Sequence, residues 1–201
     1  MKIKNQEQLR ELYGHAKGRA QTKLLPALEK HGKNFISKSP FLMMASVDAK
    51  GSVDNSPRGG APGFVQVLDD QHIAIPDAKG NNRIDSLVNI VETENVGLLF
   101  LIPGVDETLR INGKAHISTE SDYLDLFSTE PKPPKTCIVV KIEEVFLHCA
   151  KALMRSKLWS EEVKMERQDF PSMGKMLKDQ LGGSEPIESQ EEMVKRYKAN
   201  L

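Results

Sequence analysis

Two arginines set beside glycine-rich backbone are the residues of this chain best suited to chemistry. One stands in Ser56-Pro57-Arg58-Gly59-Gly60-Ala61-Pro62-Gly63-Phe64, the other in Gly80-Asn81-Asn82-Arg83. Glycine lets backbone N–H groups approach a ligand closely. The arginine guanidinium presents a fixed fork of donors that suits phosphate. The second segment opens a stretch of helical spacing, and a helix N-terminus attracts anions through its unpaired N–H groups and dipole. Together the two segments read as a site for a phosphorylated cofactor. Each also has a plainer reading. Asn81 or Asn82 can cap an ordinary helix that carries an exposed arginine. The first segment can be a wide surface connection with a solvated arginine, since its three glycines and two prolines are too irregular for a simple hairpin.

Further candidates follow along the chain. Thr108-Leu109-Arg110 starts a strand-like run, where backbone and hydroxyl can reach a flat heterocycle and Arg110 can reach phosphate or Glu107. A surface ion pair is the alternative. His148 and Cys149 are adjacent, and neighbours on a strand point to opposite faces, which argues against a Cys–His catalytic pair. No further ligands stand near them at metal-binding spacing, so no metal site is expected. Lys151 and Arg155 lie one helical turn apart and can present two charges together. Trp159 can stack on a planar ring or anchor the tail. The chain has no GxGxxG, P-loop, HExxH or GxSxG motif. No side chain stands out as general acid or base, so none is named catalytic.

The elements that must position these residues change period along the chain. Gln6 to Ala16 and Ala20 to His31 read as short helices, with Gly32 and Pro40 punctuating the exit and a turn of helix at Asn34 to Lys38. Phe41 to Val47 reads as a strand, turned by Asp48-Ala49-Lys50-Gly51 into a return over Ser52 to Asn55. Phe64 to Leu68 and His72 to Ile75 form a further pair. Asn82 to Val91 is helical. Val96 to Ile102 is nearly continuous apolar sequence, which predicts a strand buried on both faces. Thr108 to Ser118 follows, with a glycine bulge at Asn112-Gly113. Ser121 to Phe127 is a short helix and Thr136 to Leu147 the last strand. Met173 to Leu181 and Ser189 to Tyr197 are helices of a charged tail. Only one clear crossover helix appears between strands, which excludes a regular parallel βαβ fold. The expected class is mostly β with flanking helices: an antiparallel barrel.

Composition narrows the function. The chain has 201 residues, which points to a single fold, and its 39% apolar content is enough for one core. Lys+Arg and Asp+Glu both total 28, so the basic excess of a general nucleic-acid binder is missing. Two cysteines make no disulfide framework. No apolar run approaches the roughly 20 residues of a membrane helix, and no leader is visible, so a cytoplasmic protein is expected.

At this point the pattern resembles the FMN-binding split-barrel proteins related to pyridoxamine 5'-phosphate oxidase. The resemblance runs from about Phe41 to Trp159 and rests on three stretches. These are FLMMASVDAKGSVDNSPRGGAPGFVQVLDDQHIAIPDAKGNNRIDSL, GLLFLIPGVDETLRINGKAHIS and HCAKALMRSKLW. It is nearest to the subgroup carrying SPRGG, GNNR and the LIPG–ETLR run. The resemblance implies a six-stranded antiparallel split barrel over residues 41–159, with N-terminal helices over 1–40 and a helical tail over 160–201. It implies a homodimer with FMN between the subunits and a small-molecule substrate. Arg58 and its neighbours Ser56, Pro57, Gly59, Gly60 and Phe64 take the place of the flavin-holding strand. Arg83, with Asn81 and Asn82, takes that of the phosphate-binding helix start. Ile75 and Pro76 match the pair that touches the ring, and Thr108, Leu109 and Arg110 the flavin-contacting strand. Lys151, Arg155 and Trp159 are the candidates for what a second subunit contributes. The RxVLLK strand motif and the C-terminal arginine–histidine signature of the oxidase proper are missing. What is implied is therefore an FMN-dependent oxidoreductase of other substrate. A flavin carrier without turnover, or a haem or deazaflavin binder on the same barrel, is the alternative.

Overall fold

The computed structural model describes residues 2–183 and 186–199. The expected tail over 160–201 thus includes four positions, 184, 185, 200 and 201, that lie outside the described residues.

Seven strands form one sheet in the order β2-β1-β5-β6-β7-β4-β3, every neighbouring pair antiparallel. They are β1 (Phe41–Val47), β2 (Val53–Gly59), β3 (Gln66–Val67), β4 (His72–Pro76), β5 (Asn95–Leu101), β6 (Thr108–Ser118) and β7 (Cys137–His148). The mostly-β antiparallel class expected from sequence holds; the seventh strand is the two-residue β3. Leu42 and Met44 of β1 share one apolar cluster with Ile73 and Ile75 of β4, although three strands separate β1 from β4 in the sheet. The sheet therefore curls around its own core, as barrels do. No helix among the described residues is long and apolar enough to cross a membrane.

The helices are α1 (Gln6–Tyr13), α2 (Arg19–Thr22), α3 (Lys30–Lys38), α4 (Asp85–Thr93), α5 (Ser121–Leu124), α6 (Lys151–Ser156), α7 (Met173–Leu181) and α8 (Gln190–Lys198). The helix expected over Ala20 to His31 is broken. Leu25 instead exchanges backbone hydrogen bonds with Val145 at 3.0 and 2.7 Å, ahead of Pro26, which has no N–H to continue a helix. The next helix starts later because the Glu29 carboxylate caps it, accepting from the N–H groups of His31 and Gly32 at 2.9 and 2.8 Å. Those same N–H groups hold its carboxyl below the ordinary range, His31 first. Gly32, read as an exit signal, lies buried inside α3.

β5 was expected to be buried on both faces. Val96, Leu98 and Phe100 are buried, whereas Gly97, Leu99 and Leu101 are half-exposed. The outward residues of its neighbour β1, Phe41, Met43 and Ala45, are half-exposed too. By contrast β4 and β7 do have a second buried face, because Phe127, just after α5, packs on Ala74, Cys137 and Val139.

The glycine-rich connection expected over Ser56 to Gly63 starts later than its composition suggests. Ser56 to Gly59 continue β2 in register with Met44 to Phe41. Pro57 is tolerated because β2 is the edge strand, with one side of its backbone free of ladder bonds. The loop proper is Gly60 to Gly63, and its glycines serve packing. Gly60 N–H donates to Pro40 O at 3.1 Å and Gly63 N–H to Ser39 O at 3.3 Å. A Cβ on Gly60 would lie 2.7 Å from Phe64 Cβ and 3.0 Å from its Cγ. Phe64 is buried, so it has little room to yield. Gly60→Ala is expected to destabilise by about 1–3 kcal/mol in a guanidinium titration. An unchanged midpoint would mean that the loop lifts freely.

Candidate functional site

Strand alternation puts Asp54, Ser56 and Arg58 on one face of β2, opposite the buried Ser46, Met44 and Leu42. They face inward, toward α4, which packs against β1 and β2. A continuous polar relay results. Arg58 Nη1 donates to Ser56 Oγ at 2.9 Å and to its neighbour's carbonyl, Pro57 O, at 2.9 Å. Arg58 Nη2 donates to Ser86 Oγ at 3.1 Å. Ser56 Oγ lies 2.9 Å from Ser86 Oγ, and Ser86 donates to Asp54 Oδ2 at 2.6 Å. Ser86 is buried in the first turn of α4. Arg58 Nε is buried as well, but has no hydrogen-bond partner. A buried, unpaired donor on a charged group is costly unless something binds it.

Arg83 stands just ahead of α4. Its Nε donates to Asp85 Oδ2 at 2.8 Å, and its side chain is 76% exposed. The charge of Asp54 also acts on it, behind Asp85. The two arginines are thus joined through Asp54 and the first turn of one helix. The helix start differs from expectation. Neither Asn81 nor Asn82 caps it: Asn81 Oδ1 accepts from Arg83 N–H at 3.1 Å, and the N-cap residue is Ile84, which makes no side-chain cap. Asn82 and Ile84 have φ of 62° and 49°. Asparagine tolerates this left-handed region, but for β-branched isoleucine it is a true outlier, a form of strain that clusters at ligand-binding loops.

Asp77 closes the site from the end of β4. Burial pushes its carboxyl up, against the pull of Arg58. Its N–H donates to Thr136 O at 3.1 Å, and Thr136 Oγ1 is buried without a partner. Ile75 and Pro76 lead into it. β3 ends its pairing at Ala74, which leaves that edge of Ile75 and Pro76 without a strand. The sequence did not single out Asp54, Asp77 or Ser86. The alternation along Val53 to Gly59 was the signal that would have drawn Asp54 into line with Arg58.

Other candidates go elsewhere. Ile75, Leu109 and Phe64 are buried in the core, which leaves only their backbone groups for a ligand. Thr108 is buried opposite His148. Arg110 approaches Glu144 at 4.0 Å rather than Glu107. Leu109 pairs through Phe100 and Leu42 to Arg58, so its neighbour Arg110 emerges on the opposite face of the sheet. Within one subunit Arg58 and Arg110 do not grip a common group. Lys151 and Arg155 are exposed on α6. Trp159 is half-buried and its indole N–H donates to Val105 O at 2.9 Å, an anchor for the start of the tail. It lines a depression of ≈ 390 Å³ with Leu153, Met154 and Asp106.

Comparison with known proteins agrees with this architecture. HupZ of Group A Streptococcus, known from a crystal structure, is 20% identical with a TM-score of 0.50, covering 60% of this chain and 93% of that one. At that identity the likeness concerns the fold alone. An FMN-binding protein from Syntrophomonas wolfei is 14% identical with a TM-score of 0.44, covering 72% of this chain and 97% of that one. No curated protein matches the chain. The family described as Pyridoxamine 5'-phosphate oxidase matches residues 28–149. That span takes in every strand of the sheet and both Arg58 and Arg83, and the chain therefore belongs to the pyridoxamine 5'-phosphate oxidase family.

Proposed function

We propose that this chain is an FMN-dependent oxidoreductase acting on a small molecule, and that it works as a homodimer with the flavin at the subunit interface. The observation that carries the reading is Arg58. Its guanidinium is fixed beneath an uncapped helix start, with a buried Nε still in need of an acceptor. A phosphate fits that need. It accepts from Arg58 Nε and from Arg83 and the unpaired N–H groups at the head of α4, and the helix dipole favours its charge. Ser56 and Ser86 hold the Arg58 fork in place. Ile75 and Pro76, on the open edge of β4, offer backbone to a ring system. When bound, FMN supplies the electron transfer itself. The chain's own part is to hold the phosphate, orient the ring and keep water from one of its faces.

Dimerisation is supported by the outward faces of β1 and β5, where Phe41, Met43, Leu99 and Leu101 are half-exposed side by side. Such a contiguous apolar strip on a sheet favours burial against a partner. A second copy would add Lys151 and Arg155 from its α6.

Mass spectrometry of the ligand released from purified protein tests the cofactor, and NADH or NADPH reduction followed by reoxidation tests turnover. FMN that is bound but never reoxidised by any acceptor would make the protein a carrier. In a fluorescence titration, Arg83→Ala is expected to weaken FMN about tenfold or more, as removal of a charge-assisted hydrogen bond does. Unchanged affinity removes Arg83 from the site.

A further inference from the structure

On the face of the sheet opposite Arg58, positive charge gathers without enough negative charge to balance it. The Leu25–Val145 bridge carries the N-terminal segment onto β7 and sets Lys23 over Phe146, with Nζ 4.1 Å from the ring centroid. Arg110 covers the same ring, its guanidinium carbon 4.8 Å from the centroid. His148 meets the ring edge-on at 4.8 Å between centroids. Lys151 follows at the start of α6.

Among the described residues, the one carboxylate paired with this group is Glu144, and it stands at 4.0 Å from Arg110, the outer limit of an ion pair. Its Oε2 already accepts from Asn112 Nδ2 at 2.9 Å. Lys23 Nζ donates to a backbone carbonyl, Leu147 O, at 3.0 Å rather than to a carboxylate. Arg110 Nε is buried with no hydrogen-bond partner. Two cations held against one aromatic face repel each other. Each gains from the ring quadrupole, yet together they leave a net positive, partly dehydrated surface. An anion relieves both the repulsion and the unpaired Nε.

We propose that Lys23, Arg110 and His148, arranged around Phe146, form a binding site for the oxyanion group, carboxylate or phosphate, of a small-molecule ligand. The site is separate from the Arg58–Arg83 site and does not depend on the flavin reading. Two titrating groups already register its positive field. The His148 imidazole is pushed down, first by burial and then by Arg110 and Lys23. The exposed Cys149 thiol is lowered too, first by the Lys151 backbone N–H, then by the charges of Lys151 and Lys23.

The test is an NMR titration of the full-length, isotope-labelled chain with sodium phosphate, and separately with sodium acetate, at constant ionic strength held with sodium chloride. The expected result is a saturable shift of the Arg110 Nε–H and His148 ring resonances, with the His148 pKa rising as the anion fills the site. Saturation by phosphate alone or by acetate alone says which oxyanion the site prefers. Lys23→Met and Arg110→Gln, each keeping most of the side-chain stem, are expected to weaken binding about tenfold. Arg83→Ala is expected to leave it unchanged. The proposal is overturned if the shifts grow linearly, if chloride alone reproduces them, or if Arg83→Ala abolishes them while Lys23→Met does not.

Discussion

Arg58→Ala is expected to weaken FMN binding about a hundredfold, roughly 3 kcal/mol, as removal of a charged, hydrogen-bonded partner from a partly buried place does. Three features put the effect above that of Arg83. Arg58 is held by Ser56, Ser86 and the Pro57 carbonyl, so little side-chain freedom is given up on binding. Its Nε is shielded from water. Arg83 is largely in solvent and already paired with Asp85, which must be displaced. Arg58→Lys restores the charge but not the fork, and should recover only part of the affinity. Fluorescence titration reads the affinity. A circular dichroism melt must show the barrel intact, since the change also leaves Asp54 and Ser86 without their cation. Wild-type affinity in Arg58→Ala would remove this side chain from the cofactor site and with it the main support for the proposed function.

The second large effect concerns the frame. β6 and β7 pair along their whole length except at Asn112/Gly113, where Asn112 faces Glu144 and Gly113 faces Ile142, leaving Glu143 as the extra residue. The bulge expected at Asn112-Gly113 is there. The reason for glycine is close approach and not backbone conformation, since Gly113 has no positive φ. A Cβ at this position would stand 2.1 Å from Lys141 O, 3.1 Å from Lys141 C and 3.3 Å from Ile142 Cα. All three are backbone atoms of a central strand and cannot swing aside. Gly113→Ala is expected to cost about 3 kcal/mol or more. For a chain of this size that lowers Tm by about 6–12 °C. A fall under about 2 °C would show that the bulge can open to accept a methyl group.

Several elements were legible from local pattern. Phe41–Val47, Thr108–Ser118 and Met173–Leu181 begin and end where spacing and turn residues place them. In each, the local preference and the tertiary demand agree. Elsewhere tertiary packing overrode the local pattern. Leu24 and Leu25 have helical spacing, but a backbone bridge to Val145 outweighs one marginal turn of helix before a proline. The glycines of the Arg58 segment read as ligand-facing backbone. They turn out to be small because Pro40, Ser39 and Phe64 press on them.

The same division runs through the candidate site. Residue type alone singled out Arg58 and Arg83, because a guanidinium beside a helix start has a chemistry that does not depend on its surroundings. Which polar groups would meet it was a question of distances across the chain. Asp54 comes from β2, Ser86 from α4 and Asp77 from the end of β4, and nothing in their neighbours marks them. Equally, one residue of offset along β6 sends Leu109 into the core and Arg110 to the far face, away from Arg58 and over Phe146. Strand alternation is a local rule, but the identity of the buried face is set only when the sheet closes around its core.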